Sequence, residues 1–140
     1  MKNKICFPMY WTIKEIINKY NELLGPLDLT YTQYLVMYVL WEDKQIEMKE
    51  LCIKVCLDSN TLSPVINRLI KKGYLTKYKS EKDKRVIIIE LLENGEKIKE
   101  AAKKVHDEIY GMVDLTDEEK SSLIKILAKI QNQLSKKTKE

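Results

Sequence analysis

A chain of 140 residues has room for one domain with a substantial core and is too short for two ordinary ones, so a single unit, completed by a partner, is the natural expectation. With 44% apolar and 33% charged residues it has a soluble globular composition, and its N-terminus lacks the apolar run of a signal peptide or membrane span, so a cytoplasmic location is expected. The formal net charge of +4 is modest but uneven: between Thr61 and Arg85 eight basic residues stand against two acidic ones, which suits a polyanionic partner.

Cys6 stands just before the first helix, and is either a small apolar residue filling a core or a thiol placed to react. From Pro8 to about Leu24, the residues Met9, Ile13, Ile16, Ile17, Tyr20 and Leu24 recur at helical spacing, and Gly25-Pro26 ends the run. Thr30, with Gln33 three residues on, predicts a capping box for a second helix that carries Tyr34, Leu35, Tyr38 and Val39 to about Trp41. "IEMKELCIKVC" reads as a short third helix. "LDSNTLSPVINRLIKKG" reads as a fourth, capped by Asp58 or Ser59 and stopped by a left-handed Gly73.

Two short helices joined by "LDSN" make a helix-turn-helix. The β-rich runs "YLTKYKS" and "RVIIIEL" flank the polar "EKDK", which predicts a β-hairpin with a charged tip. From Asn94 the pattern is helical again, with a break at "DLTDEE", where Thr116 caps a last helix through Glu119. The fold class expected is mainly α with a small β-hairpin: a winged helix-turn-helix lobe over residues 30–91, with dimerisation helices over 1–29 and 92–140.

In such a lobe the second helix enters the major groove and the hairpin reaches the backbone or minor groove. Ser59, Asn60, Thr61 and Ser63 put short polar groups near the helix N-terminus, in reach of base edges, while Arg68, Lys71 and Lys72 suit phosphates. Taken alone, these residues would also serve as a cap and a solvated face. The basic hairpin next to them, with Lys82, Asp83 and Arg85 at its tip, favours double-stranded DNA.

The helix-turn-helix, the stretch "LDSNTLSPVINRLIKKGYL" and the hairpin's "DKR" (Asp83 to Arg85) resemble the MarR family of dimeric winged-helix repressors. The resemblance implies a pseudo-palindromic operator, an Asp83–Arg85 pair bracing the wing, and an Arg85 that approaches the minor groove. Where the family continues Leu-Thr-x-x-Gly, this chain has "LLENG", with Leu92 in place of the capping threonine.

"ICFPMYW", "PLDLTYTQYLVMYVLWE" and "LDSNTLSP" further resemble the organic-hydroperoxide-sensing branch of that family, the OhrR-type repressors, over nearly the whole chain. That resemblance implies a reactive cysteine at the start of the first helix, matching Cys6. It also implies two tyrosines of the partner subunit that hydrogen-bond its thiolate, matching Tyr20 and Tyr31. A helix N-terminus and phenolic donors both favour thiolate, the form that attacks a peroxide. Phe7, Tyr10 and Trp11 are candidates to line a peroxide pocket. With no cysteine after Cys56, the chain resembles the one-cysteine type, in which the oxidised thiol forms a mixed disulfide with a low-molecular-weight thiol.

Cys52 and Cys56 stand four apart on the third helix, but no His or carboxylate pattern completes a metal site, so core packing is expected and no metal or cofactor. The one histidine, His106, reads as a surface or interface residue. Apolar stripes over Ile98, Val105 and Ile109, and over Leu123, Ile126, Leu127, Ile130 and Leu134, look too long for one chain to cover and predict a two-fold homodimer. Two other readings stay open. A MarR-type regulator could answer to a non-covalent lipophilic or phenolic ligand. A thiol peroxidase is the enzymatic reading, but no Thr/Arg constellation accompanies Cys6, so no enzyme is expected.

Overall fold

The computed structural model describes residues 4–137, mostly helix around one small antiparallel sheet. In chain order these are α1 (Cys6–Leu24), a 3-10 turn (Gly25–Leu27), α2 (Tyr31–Asp43), β1 (Gln45–Glu47), α3 (Met48–Val55), α4 (Ser59–Lys71), β2 (Leu75–Lys79), β3 (Ile87–Leu91), α5 (Glu93–Lys97), α6 (Lys99–Met112) and α7 (Asp117–Lys137). The chain forms two units that divide between Ile109 and Tyr110.

Local chemistry sets most of the boundaries. The Thr30 hydroxyl accepts from the Gln33 amide at 3.2 Å, and the Gln33 side chain accepts from the Thr30 amide at 3.2 Å, so the expected capping box starts α2. Asp58 is the cap of α4: one carboxylate oxygen accepts from the Thr61 amide at 2.9 Å, the other from the Thr61 hydroxyl at 3.0 Å. That donation holds the Asp58 carboxyl below its ordinary range. Gly73, at φ +73°, makes the left-handed turn after α4.

The expected two-stranded hairpin is a three-stranded sheet in the order β1-β3-β2. Ile46 and Glu47, expected at the start of the third helix, instead join Gln45 in the edge strand β1, with Ile46 paired across to Ile89 and both buried. The reason lies at Lys44, whose backbone turns at φ 64° and whose carbonyl accepts from the Leu91 amide at 2.8 Å. That bond is made across the fold, and it draws residues 45–47 alongside β3 before α3 can begin.

The core of the first unit lies under the helix-turn-helix. Leu24, Met37, Leu40, Leu51, Leu62 and Leu69 are fully buried, and each such leucine is worth roughly 1.5–3 kcal/mol of burial. Gly95 sits against this core because a Cβ there would stand 2.5 Å from the Tyr74 carbonyl oxygen, and its own carbonyl accepts from the buried Trp41 indole at 2.8 Å. Leu92 is the N-cap of α5 and makes no side-chain bond there.

One expected stripe is not spare. Val105 and Ile109 are 8% and 7% exposed and belong to this core, with Ile98 packed against it. Helical spacing marks an apolar face but cannot say which chain covers it. In the second unit, α7 is capped by Thr116, whose hydroxyl accepts from the Glu119 amide at 3.2 Å while Glu119 accepts from the Thr116 amide at 2.8 Å. It exposes Leu123, Ile124, Ile126 and Leu134 by 47–65%.

Candidate functional site

At the front of the winged helix-turn-helix, α4 buries Leu62, Ile66 and Leu69 and turns its N-terminal residues Ser59, Asn60 and Thr61 outward. The hydroxyls are not equally available. Thr61 donates its proton to the Asp58 cap, and Ser63, half-buried, donates to the Ser59 carbonyl at 2.7 Å. Both oxygens are thereby left as acceptors, and Ser59 and Asn60 are the exposed polar side chains at the tip.

Further along α4, Arg68 and Lys71 are exposed and line a cavity of about 470 Å³ with the 3-10 turn and the start of α2. Lys72, expected with them on phosphate, is turned inward. Its ammonium bonds the carboxylate and carbonyl of Asp28, a residue held at φ 53°, and lies 3.3 Å from the Gln33 amide oxygen. A short loop that places an acid beneath the helix captures this lysine. Sequence spacing alone does not reveal it.

In the wing, Asp83 accepts from the Arg85 backbone amide at 3.0 Å and from its guanidinium at 3.1 and 3.0 Å. This pairing holds the Asp83 carboxyl below its usual range and keeps Arg85 charged. The Arg85 side chain remains 91% exposed while it stiffens the turn. Lys82 is exposed at the tip.

The second group of predicted residues lies on α1 and α2. Cys6 is the first residue of α1, exposed, and the residue before it supplies no side-chain cap, so the positive end of the helix is open at the thiol. Phe7, Tyr10 and Trp11 around it are 53–56% exposed, with Phe7 and Trp11 rings 6.4 Å apart.

Tyr20 and Tyr31 are brought together, their rings 4.9 Å apart at 41°, and Tyr34 stacks on Tyr20 at 5.3 Å. The Tyr20 hydroxyl is 2.8 Å from Nδ1 of His106 on α6. Burial pushes the Tyr20 and Tyr31 phenols above their ordinary range, with the neighbouring Tyr31 adding at Tyr20 and a Tyr34 hydrogen bond opposing; Tyr34 is raised further, again by burial. All three are therefore held as neutral donors.

Cys6 is not beside these tyrosines in its own chain: fourteen residues of helix separate it from Tyr20, about 21 Å along the axis. Tyr34 and His106 were missing from the predicted site. Tyr34 follows Tyr31 at helical spacing and was legible as a neighbour; His106 is joined to Tyr20 only by the tertiary fold. The remaining cysteines part company: Cys52 packs against the core, while Cys56 caps α3 at φ 54° and is exposed, which corrects the expectation that both are core. Among the described residues no helix is long and apolar enough to cross a membrane.

The model of the transcriptional regulator family SarA/Rot matches residues 14–102, and the organic hydroperoxide resistance transcriptional regulator of Bacillus subtilis is 34% identical over 88% of this chain and 84% of its own. The chain belongs to this MarR-type SarA/Rot family. The regulator SarZ of Staphylococcus haemolyticus is 37% identical over 91% of this chain and 86% of its own. Reduced AbfR of Staphylococcus epidermidis bound to DNA superposes with a TM-score of 0.81 at 28% identity, covering 95% of this chain and 94% of that one. The disulfide-formed AbfR superposes less well, at 0.66 and 27% identity, covering 99% and 92%. The chain is thus a DNA-binding transcriptional regulator of the MarR type with a winged helix-turn-helix.

Proposed function

We propose that this MarR-type regulator is a dimeric repressor that senses organic hydroperoxides through Cys6 and leaves its operator when that thiol is oxidised. The observation that carries the reading is the pair of half-sites on one chain. An exposed thiol opens an uncapped helix among Phe7, Tyr10 and Trp11, and the buried Tyr20, with the half-buried Tyr31 tilted against it at 4.9 Å, lies about 21 Å along that helix, out of reach of the thiol of its own chain. The similarity to the Bacillus subtilis hydroperoxide-resistance regulator and to reduced AbfR on DNA supports it.

In a two-fold dimer, Tyr20 and Tyr31 of one subunit donate to the thiolate of Cys6 in the other. The thiolate sulfur attacks the peroxide, ROOH; the O–O bond breaks, sulfur loses two electrons and becomes the sulfenic acid, and RO⁻ leaves and takes a proton from water to give ROH. A low-molecular-weight thiol then condenses with the sulfenic acid, forming a disulfide and releasing water. The adduct no longer fits between the helices, and the two α4 helices lose the one-turn spacing, about 34 Å, that two half-sites demand. Ser59, Asn60 and the acceptor oxygens of Thr61 and Ser63 read base edges, Arg68 and Lys71 hold phosphate, and Arg85 with Lys82 reaches the adjacent groove.

Mass spectrometry after a small dose of cumene hydroperoxide with a low-molecular-weight thiol tests the chemistry. A single adduct on Cys6 is expected; a Cys6 disulfide to Cys52 or Cys56 would overturn the one-cysteine route. One observation favours a second reading, a non-covalent phenolic effector: a cavity of about 560 Å³ between α2 and α6, lined by the aromatic Tyr34, Tyr38 and Trp41 with His106, and by both basic (Lys99, Lys103) and acidic (Glu42, Glu100, Asp107) side chains. That reading predicts that Cys6→Ser still responds in full to such a ligand.

A further inference from the structure

His106 is the chain's single histidine, it comes from α6, and its ring nitrogen Nδ1 lies 2.8 Å from the hydroxyl of Tyr20, whose ring stacks on that of Tyr34 at 5.3 Å. A phenol has one proton to give and an oxygen that accepts twice. When Nδ1 is bare, the Tyr20 proton is spent on it. When Nδ1 carries a proton, the Tyr20 oxygen accepts from His106 and its own proton is directed elsewhere.

We propose that His106 is a positioning residue for thiol oxidation: it donates Nδ1–H to the Tyr20 oxygen and so turns the Tyr20 proton toward the thiolate of Cys6 in the partner subunit. The inference rests on the reading that Tyr20 serves that thiolate. Its physical basis is a competition for one proton. A hydrogen bond to an anion is roughly twice as strong as one between neutral groups, so a docked thiolate outcompetes a neutral imidazole nitrogen for the Tyr20 proton. A fixed acceptor would then be left facing a lone pair. His106 avoids this by presenting a proton on Nδ1. With Nδ1–H on the inward side of the Tyr20 oxygen, the Tyr20 proton is turned outward. Oxidation of sulfur removes the anion, so Tyr20 again donates to Nδ1.

Because no other histidine is present, a long-range ¹H–¹⁵N spectrum of the whole histidine-labelled protein reports on this ring alone. The reduced wild type is expected to show Nδ1 protonated, and Cys6→Ser to show Nδ1 bare; the same tautomer in both would overturn the proposal. Kinetics supply the second arm. Cys6 oxidation by cumene hydroperoxide should slow about tenfold in His106→Phe and recover in His106→Gln, whose amide can donate to Tyr20. If Tyr20→Phe slows oxidation while His106→Phe, folded and bound to DNA, oxidises at the wild-type rate, the role of His106 is refuted and that of Tyr20 stands. If Tyr20→Phe has no effect although Cys6 is oxidised, the tyrosine reading itself falls.

Discussion

The two halves of α1 are built from the same kind of sequence and meet different surroundings. The C-terminal half buries Tyr20 and Leu24 and packs Ile16 and Leu23 against the core, whereas the N-terminal half leaves Phe7, Met9, Tyr10, Trp11 and Ile13 exposed by 39–56%. Apolar periodicity alone makes both halves amphipathic. What separates them is whether α2 and α6 of the same chain lie alongside, and where they do not, a second copy is the proposed cover. Cys6 opens the uncovered half, so in the proposed function redox chemistry and dimerisation share one surface.

Truncation in the covered half should have the largest effect. Leu24→Ala removes a fully buried side chain and is expected to cost about 2–5 kcal/mol in denaturant unfolding. A mild effect there would erase the distinction between the halves. Ile13→Glu probes the other half: it should weaken dimerisation roughly 100-fold by light scattering, and operator affinity with it. A dimer that survives this change would move the interface elsewhere.

Much of this was legible in the sequence because it is local. The Thr30/Gln33 and Thr116/Glu119 boxes, the Asp58 cap and the left-handed Gly73 each depend on residues within a turn of one another, and each stands as expected. The features that escaped are made across the chain. Strand β1 exists because β3, some forty residues on, pairs with it; Lys72 is taken by Asp28; Val105 and Ile109 are covered from within. The tyrosine pair was found through family resemblance, but its link to His106 required α6 to be placed beside α1.

Smaller effects sharpen the contrast between what is local and what is not. Thr30→Ala deletes one capping bond of α2 and should cost about 1 kcal/mol by the same unfolding measurement, leaving dimerisation unchanged. Asp58 gives the weakest and most diagnostic signal. Its carboxyl is depressed in the folded protein, so its stabilisation of α4 is fully present above the ordinary carboxylate pKa and is lost as pH falls through the lower folded value. The stability difference between wild type and Asp58→Asn should therefore shrink on acidification through that window; a difference that stays constant would remove charge from the cap's role.

The most direct test is fluorescence anisotropy on DNA from the protein's own promoter, with reduced wild type and Cys6→Ser followed through addition of cumene hydroperoxide and a low-molecular-weight thiol. Both are expected to bind before treatment, and only the wild type to let go. Release of Cys6→Ser under the same treatment, or retention of wild type after its Cys6 is fully modified, would contradict it.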